Sequence, residues 1–169
     1  MTAGGANPPS ESPVGSRPFR VVIASLGNEY RRDDGAGQVV AAAAAEQVCG
    51  VHHLGPQVDP LDLLGRWDGA DLAIVVDATR GEGTPGAVRI VDLIDRTESP
   101  GVTSTHGISL SGVLRLARVV GRAPTRVVVV GIEGGDFAKG SGLSPAVNAA
   151  IPAAVRRVVE LIEEARRCA

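Results

Sequence analysis

The chain has 169 residues, with 17 Lys and Arg against 19 Asp and Glu and a net charge of -2. Its length suits one domain with a self-sufficient core, because a domain of about 150 residues buries roughly two-thirds of the surface its unfolded chain exposes. The charge balance offers no basic face for nucleic acid or acidic lipid, and no stretch reaches the ~20 apolar residues that span a bilayer. Cys49 and Cys168 lack CxxC spacing and suit unpaired thiols in a reducing compartment, so a cytoplasmic location is expected, with neither nucleic acid nor membrane as partner.

Residues 1–18, MTAGGANPPSESPVGSRP, are rich in Gly, Pro and Ser and lack the apolar run of a secretory signal. They read as a disordered lead-in, which leaves 19–169 as the folded domain. FRVVIASL, from Phe19, is a continuous apolar run of strand length, as expected of a strand buried on both faces. AGQVVAAAAAEQV is a helix on alanine propensity, closed by Gly50. VHHLG suggests a short strand, and DPLDLLGRW a helix with Asp59 as N-cap and Pro60 in its first turn. DLAIVVDAT is a second buried strand, followed by a Gly/Pro turn and the strand AVRIVDL. Polar residues, a Pro and a Gly make 95–105 a loop; SLSGVLRLARVVG is then a helix ending at Gly121. TRVVVVGIE is a third apolar strand. After the Gly-rich loop GGDFAKGSG, Ser144-Pro145 open a final helix in which Pro152 predicts a kink or a late start. The core must be Ala, Val, Leu and Ile, since the only aromatic residues are Phe19, Tyr30, Trp67 and Phe137; Lys139 is the only lysine.

Strands alternating with helices, and fully apolar VVIASL, AIVVDA and VVVVGI, indicate an α/β sandwich around a mostly parallel sheet. Loops at the carboxyl ends of such strands carry function. Three segments supply chemistry there: GNEYRRDDGAG at 27–37, VVDAT at 75–79 and THG at 105–107. If they converge, Asp34, Asp77 and His106 form a set of two carboxylates and one imidazole able to hold a divalent metal. Each residue also has a purely structural alternative. One of Asp33 and Asp34 can cap the following helix while the other points into the crevice. Asp77 can bond the turn at Thr79 or Gly81, and His106 can be satisfied by local backbone. His52 and His53 have no acid spaced to join them. GNEYRRDDGAG does not fit GxGxxG, and neither a phosphate loop nor a G-x-S-x-G elbow occurs.

The chain resembles the hydrogenase maturation protease family, endopeptidases that trim the large subunit of nickel-iron hydrogenases. The resemblance covers essentially all of 19–165. It rests on L-G-N with D-D-G-x-G (Leu26 to Gly37), V-D-A (Val76 to Ala78) followed by P-G (Pro85, Gly86), and THGISL at 105–110. G-I-E, D-F and G-L-S-P, at Gly131 to Phe137 and Gly142 to Pro145, complete it. It implies a three-layer α/β/α sandwich around a twisted, mostly parallel sheet of the phosphorylase/hydrolase-like kind. It also implies that Asp34, Asp77 and His106 act in catalysis by contacting nickel, which is carried by the large-subunit precursor rather than resident as a cofactor. The expected activity is endopeptidase removal of that precursor's C-terminal extension after nickel insertion. Asn28 is expected to bind substrate, with a plain turn role as its alternative. Relatives commonly read G-x-G-N where this chain has Ser25-Leu26-Gly27-Asn28, and G-I-E-P where it has Gly134; both departures are expected in loops that touch substrate. Two other readings of the same pattern are a nickel-sensing assembly chaperone without proteolysis and a hydrolase of the same architecture with another substrate.

Overall fold

The computed structural model describes residues 17–57, 59–93 and 109–169. The expected lead-in therefore lies outside the described residues except for Arg17 and Pro18, as do His106 and the whole of the 95–105 loop. Five strands form one sheet: β1 (Val21–Leu26), β2 (Val51–Gln57), β3 (Leu72–Thr79), β4 (Val88–Asp92) and β5 (Arg126–Glu133). Their order is β2-β1-β3-β5-β4. All neighbours pair in parallel except β4, which lies antiparallel on the β5 edge. The three helices are α1 (Ala36–Gln47), α2 (Leu110–Val119) and α3 (Pro145–Arg167).

The strands' alternation sorts the core into two layers, because successive side chains leave a strand on opposite faces. Val21, Ile23, Ile74, Val76, Val130 and Ile132 meet α1 and α3 on one face. Val22, Ala24, Leu26, Ala73, Val75 and Val129 meet α2, Leu63 and Trp67 on the other. The α/β/α sandwich follows from those two clusters. Small residues let α1 come down directly on the strand ends. A Cβ on Gly37 would sit 2.6 Å from the Val76 carbonyl oxygen and 3.1 Å from that of Leu26, so a larger residue there would lift the first turn off the sheet.

Two expectations change. DPLDLLGRW is a single 3-10 turn, Pro60–Leu63, rather than a helix. Its start has the expected signals: Asp59 accepts from Leu61 N–H, and Asp62 closes a capping box. It stops because Leu64 leaves helical dihedrals and Gly65 follows, which carries Trp67 down into the core with no exposed surface. Pro152 marks no late start either. The last helix begins at Pro145 and runs through Pro152, which faces solvent.

This topology sets the place for a site. From β1 the chain crosses to β2 on one side, while β3 lies on the other, so the strand order reverses between β1 and β3. The crevice outside the carboxyl ends at such a reversal is where open α/β sheets bind ligands. The loop after Leu26 and the end of β3 at Asp77 border it.

Candidate active site

At the end of β1 the chain turns sharply on Gly27, whose φ of 109° is open to glycine but not to most residues. A Cβ at that position would lie 2.1 Å from the Asp34 carbonyl oxygen. The turn thus folds 28–33 back so that Asp34 returns beside the strand end it left. Asn28 N–H donates to Asp34 Oδ2 at 2.9 Å, and Gln38 Nε2 donates to the Gly27 carbonyl at 3.1 Å. The Asn28 side chain takes the turn role, its Oδ1 accepting from Tyr30 N–H at 2.9 Å.

Asp77 lies one strand over and is only partly buried as a residue, but its carboxyl is largely enclosed by protein. Its pKa is pushed up to about 7, first by desolvation and then by the negative charge of Asp34; the Ala78 N–H bond opposes both. Asp34 and Asp77 therefore share one crevice and feel each other's charge. The bond to Thr79 or Gly81 considered for Asp77 belongs instead to Glu133, at the end of β5. Thr79 Oγ1 donates to Glu133 Oε2 at 3.1 Å and Gly81 N–H to Oε1 at 2.6 Å. Asp77 is left, among the described residues, with little compensation beyond the Ala78 N–H. Among the described residues no cluster of three His, Cys, Asp or Glu side chains forms a complete metal site; His106 falls outside them.

Neither adjacent acid caps α1. Its N-cap is Gly35, which makes no side-chain cap bond. Asp33 instead points inward with 0% exposure and bonds two distant segments, at 135–136 and at Ser144. Its Oδ2 accepts from Gly135 N–H (2.9 Å), Asp136 N–H (2.8 Å) and Ser144 Oγ (2.9 Å), and its Oδ1 from Ser144 N–H (2.6 Å). Desolvation is the largest single influence on Asp33 and would raise its pKa, but the hydrogen bonds together hold it below the ordinary carboxylate value. The D-D pair thus divides its labour: Asp33 locks the loops and Asp34 faces the crevice.

The lock is reinforced by backbone pairing. Arg32 N–H donates to the Gly140 carbonyl, Gly140 N–H to that of Tyr30, and Asp33 N–H to that of Asp136. Arg32 holds a positive φ of 47° to make these contacts, and its guanidinium pairs with Asp136 at 2.9 Å. The G-I-E, D-F and G-L-S-P signatures are thereby explained physically: they supply Glu133 and the donors that Asp33 collects. Sequence reasoning gave Glu133 no role and Asp33 only that of a helix cap. Of the two departures from the family pattern, Ser25 is not in a loop. It is fully buried in β1 with its Oγ unpaired among the described residues. Gly134 does lie in the loop, where a Cβ would strike the Phe137 ring at 2.4 Å.

A sequence model described as hydrogenase maturation protease (HycI) matches residues 58–161, a span that contains Asp77 and His106 but begins after Asp34. A search of curated proteins finds no match. Among solved structures the chain is similar to the hydrogenase maturating endopeptidase HybD from Escherichia coli. That match has 25% identity and TM-score 0.69, over 86% of this chain and 93% of that one. It is also similar to an Escherichia coli endopeptidase solved in solution, at 26% identity and TM-score 0.70 over 86% and 93%. The [NiFe] hydrogenase maturation protease HybD from Thermococcus kodakarensis matches at 26% identity and TM-score 0.66 over 84% and 98%.

Proposed function

The chain belongs to the hydrogenase maturation protease family and is a peptidase of hydrogenase maturation, and on that premise we propose that it removes the C-terminal extension of a nickel-iron hydrogenase large-subunit precursor once nickel is inserted. In this reading Asp34, Asp77 and His106 contact the precursor's nickel, which belongs to the substrate. The observation that carries it is the Asp34–Asp77 pair at the sheet's reversal point. One carboxyl there is raised to about 7 by burial and by its neighbour, and among the described residues no protein cation is paired with either. An arriving cation would relieve that repulsion. An O,O set accepts a divalent ion readily, and a neutral imidazole completes an O,O,N set. In sequence His106 stands three residues before Ser109, the N-cap of α2, and α2 covers the face to which Asp77 belongs by strand alternation.

The chemistry is hydrolysis of one peptide bond. Water adds to the scissile carbonyl carbon, the C–N bond breaks, and the extension leaves as an amine carrying the proton. A metal ion at the carbonyl would polarise it or acidify the attacking water. Asp77, titrating near neutrality, can hold a proton or return one at the pH of the cell. The locked loops keep Asp34 in place without help from substrate, which preorganises the pair.

Intact-mass spectrometry of a large-subunit precursor, nickel-loaded and nickel-free, tests the reading. Loss of a C-terminal peptide is expected from the loaded form alone. Asp34→Asn, Asp77→Asn and His106→Ala should each remain folded and lose processing by at least about 100-fold. Full processing by His106→Ala would remove the imidazole from the set, and cleavage of both precursor forms would remove nickel gating.

A further inference from the structure

Beside the carboxylate pair runs a groove of about 890 Å³, between the loop after β1 and the loop after β5. Asn28, Tyr30, Arg31, Phe137 and Lys139 line it. Its composition is unlike that of the rest of the chain. Of the four aromatic residues, Trp67 is buried in one core layer and Phe19 packs on the other; the remaining two, Tyr30 and Phe137, both face this groove. So does the only lysine. Tyr30 is 71% exposed, a large ring kept in water with no core to fill.

The charges point one way. Arg31 and Lys139 are both cationic, and no acid among the described residues lines the groove. Lys139 makes no ion pair with any described residue, while the nearby Asp136 is already paired with Arg32. Arg31 reaches across to the Phe137 carbonyl at 3.5 Å, and Arg80 stacks on the Phe137 ring at 4.3 Å. The walls are preformed, because Asp33 and the Tyr30–Gly140 pairing hold the two loops together. The groove also leads to the chemistry: Asn28, which lines it, donates its N–H to Asp34. Exposed aromatics with a flanking arginine are the usual anchors of a recognition surface, and unpaired charge selects the partner.

The geometry points to this groove as the docking site for a peptide segment that carries acidic side chains beside an apolar one. Given the function proposed above, that segment is the C-terminal extension of the precursor. Tyr30 and Phe137 take its apolar side chain, and Arg31 and Lys139 take its carboxylates, making these two cations specificity determinants.

The test measures fluorescence anisotropy of the full chain with two labelled synthetic peptides. They share length and apolar residues, but one carries Asp and Glu where the other carries Asn and Gln. The wild type should bind the acidic peptide about tenfold more tightly, with the difference shrinking in salt. Arg31→Glu/Lys139→Glu should abolish that preference, and circular dichroism should show the fold retained, since both side chains are exposed. Equal binding of the two peptides by the wild type, or an unchanged preference in the double variant, overturns the assignment. With nickel-loaded precursor the double variant should raise KM about tenfold while kcat falls far less. Peptide preference without cleavage of any precursor would keep the groove and remove the peptidase mechanism. Cleavage by the double variant at unchanged KM would do the reverse.

Discussion

At the amino edge of the sheet Asp71 lies under two donors, the Arg17 guanidinium at 2.6 and 2.7 Å and the Arg20 N–H at 2.7 Å, which together hold its pKa low. At the carboxyl edge, six residues along the same chain, Asp77 has one backbone donor and a second acid for a neighbour, and its pKa rises to about 7. Burial alone does not explain the contrast. Asp33, on the carboxyl edge and with no exposed surface, is also held low, because it collects four hydrogen bonds. The difference lies in how far each carboxylate is already satisfied within the protein. Asp71 and Asp33 have their partners and act as structure; Asp77 and Asp34 have no counter-ion among the described residues and remain available to something that arrives.

The largest effect that can break this division comes from Asp33. Asp33→Asn turns an amide N–H₂ toward donors that now meet a carboxylate, leaving at least one buried N–H without an acceptor. The expected loss is about 3 kcal/mol of stability, a fall in Tm of roughly 6–12 °C for a chain of this size. Asp34→Asn, one residue along, should shift stability by less than ~1 kcal/mol while removing precursor processing. Thermal melts of the two variants decide the matter: equal losses would mean that the adjacent acids do not divide structure from chemistry.

These two roles were unequally legible in the amino-acid sequence. The apolar runs VVIASL, AIVVDA and VVVVGI marked β1, β3 and β5, and an acid at the end of a buried run singled out Asp77. Asp33 gave no such sign. Its partners lie more than 100 residues away and are mostly backbone N–H groups, which carry no residue signature. Local rules therefore offered one acid of the D-D pair to the nearest helix as its cap, and tertiary contact overrode them. Glu133 was missed for the same reason, since its donors sit more than 50 residues away, Thr79 at the end of the neighbouring strand β3 and Gly81 in the loop that follows. Ser25 was misplaced because strand and loop differ there by a single residue.

The second effect concerns Asp77 and has the opposite sign. Its folded pKa lies above the ~3.9 of an unfolded Asp. Between about pH 4 and 7 the folded state keeps a proton that the unfolded state has lost, so the metal-free chain loses stability as pH rises through that window and is level above it. Asp77→Asn keeps an acceptor for the Ala78 N–H and removes the titration. It should therefore be more stable than the wild type near pH 8, by roughly 2 kcal/mol after allowance for partial solvent contact. The two proteins should converge near pH 4. A variant no more stable than wild type at pH 8 would mean that Asp77 is already compensated, and the contrast with Asp71 would collapse.

The smallest effect is at Asp71, and its direction separates the two edges. Asp71 has a depressed folded pKa, so its contribution is present above the unfolded value near ~3.9 and disappears as pH falls through the folded one. Asp71→Asn retains an oxygen for the Arg20 N–H, while the largely exposed Arg17 side chain returns to water. Exposed pairs of this kind contribute little and are weakened by salt. The variant should thus melt slightly below the wild type at neutral pH and low salt, and together with it once the pH is low enough to protonate Asp71 in the folded state. At the carboxyl edge removal of the acid is a gain that grows with pH, whereas here it is a small loss that grows with pH. If Asp71→Asn also stabilised the chain at pH 8, Arg17 would not be neutralising Asp71 in solution, and the amino edge would have to be regrouped with Asp77.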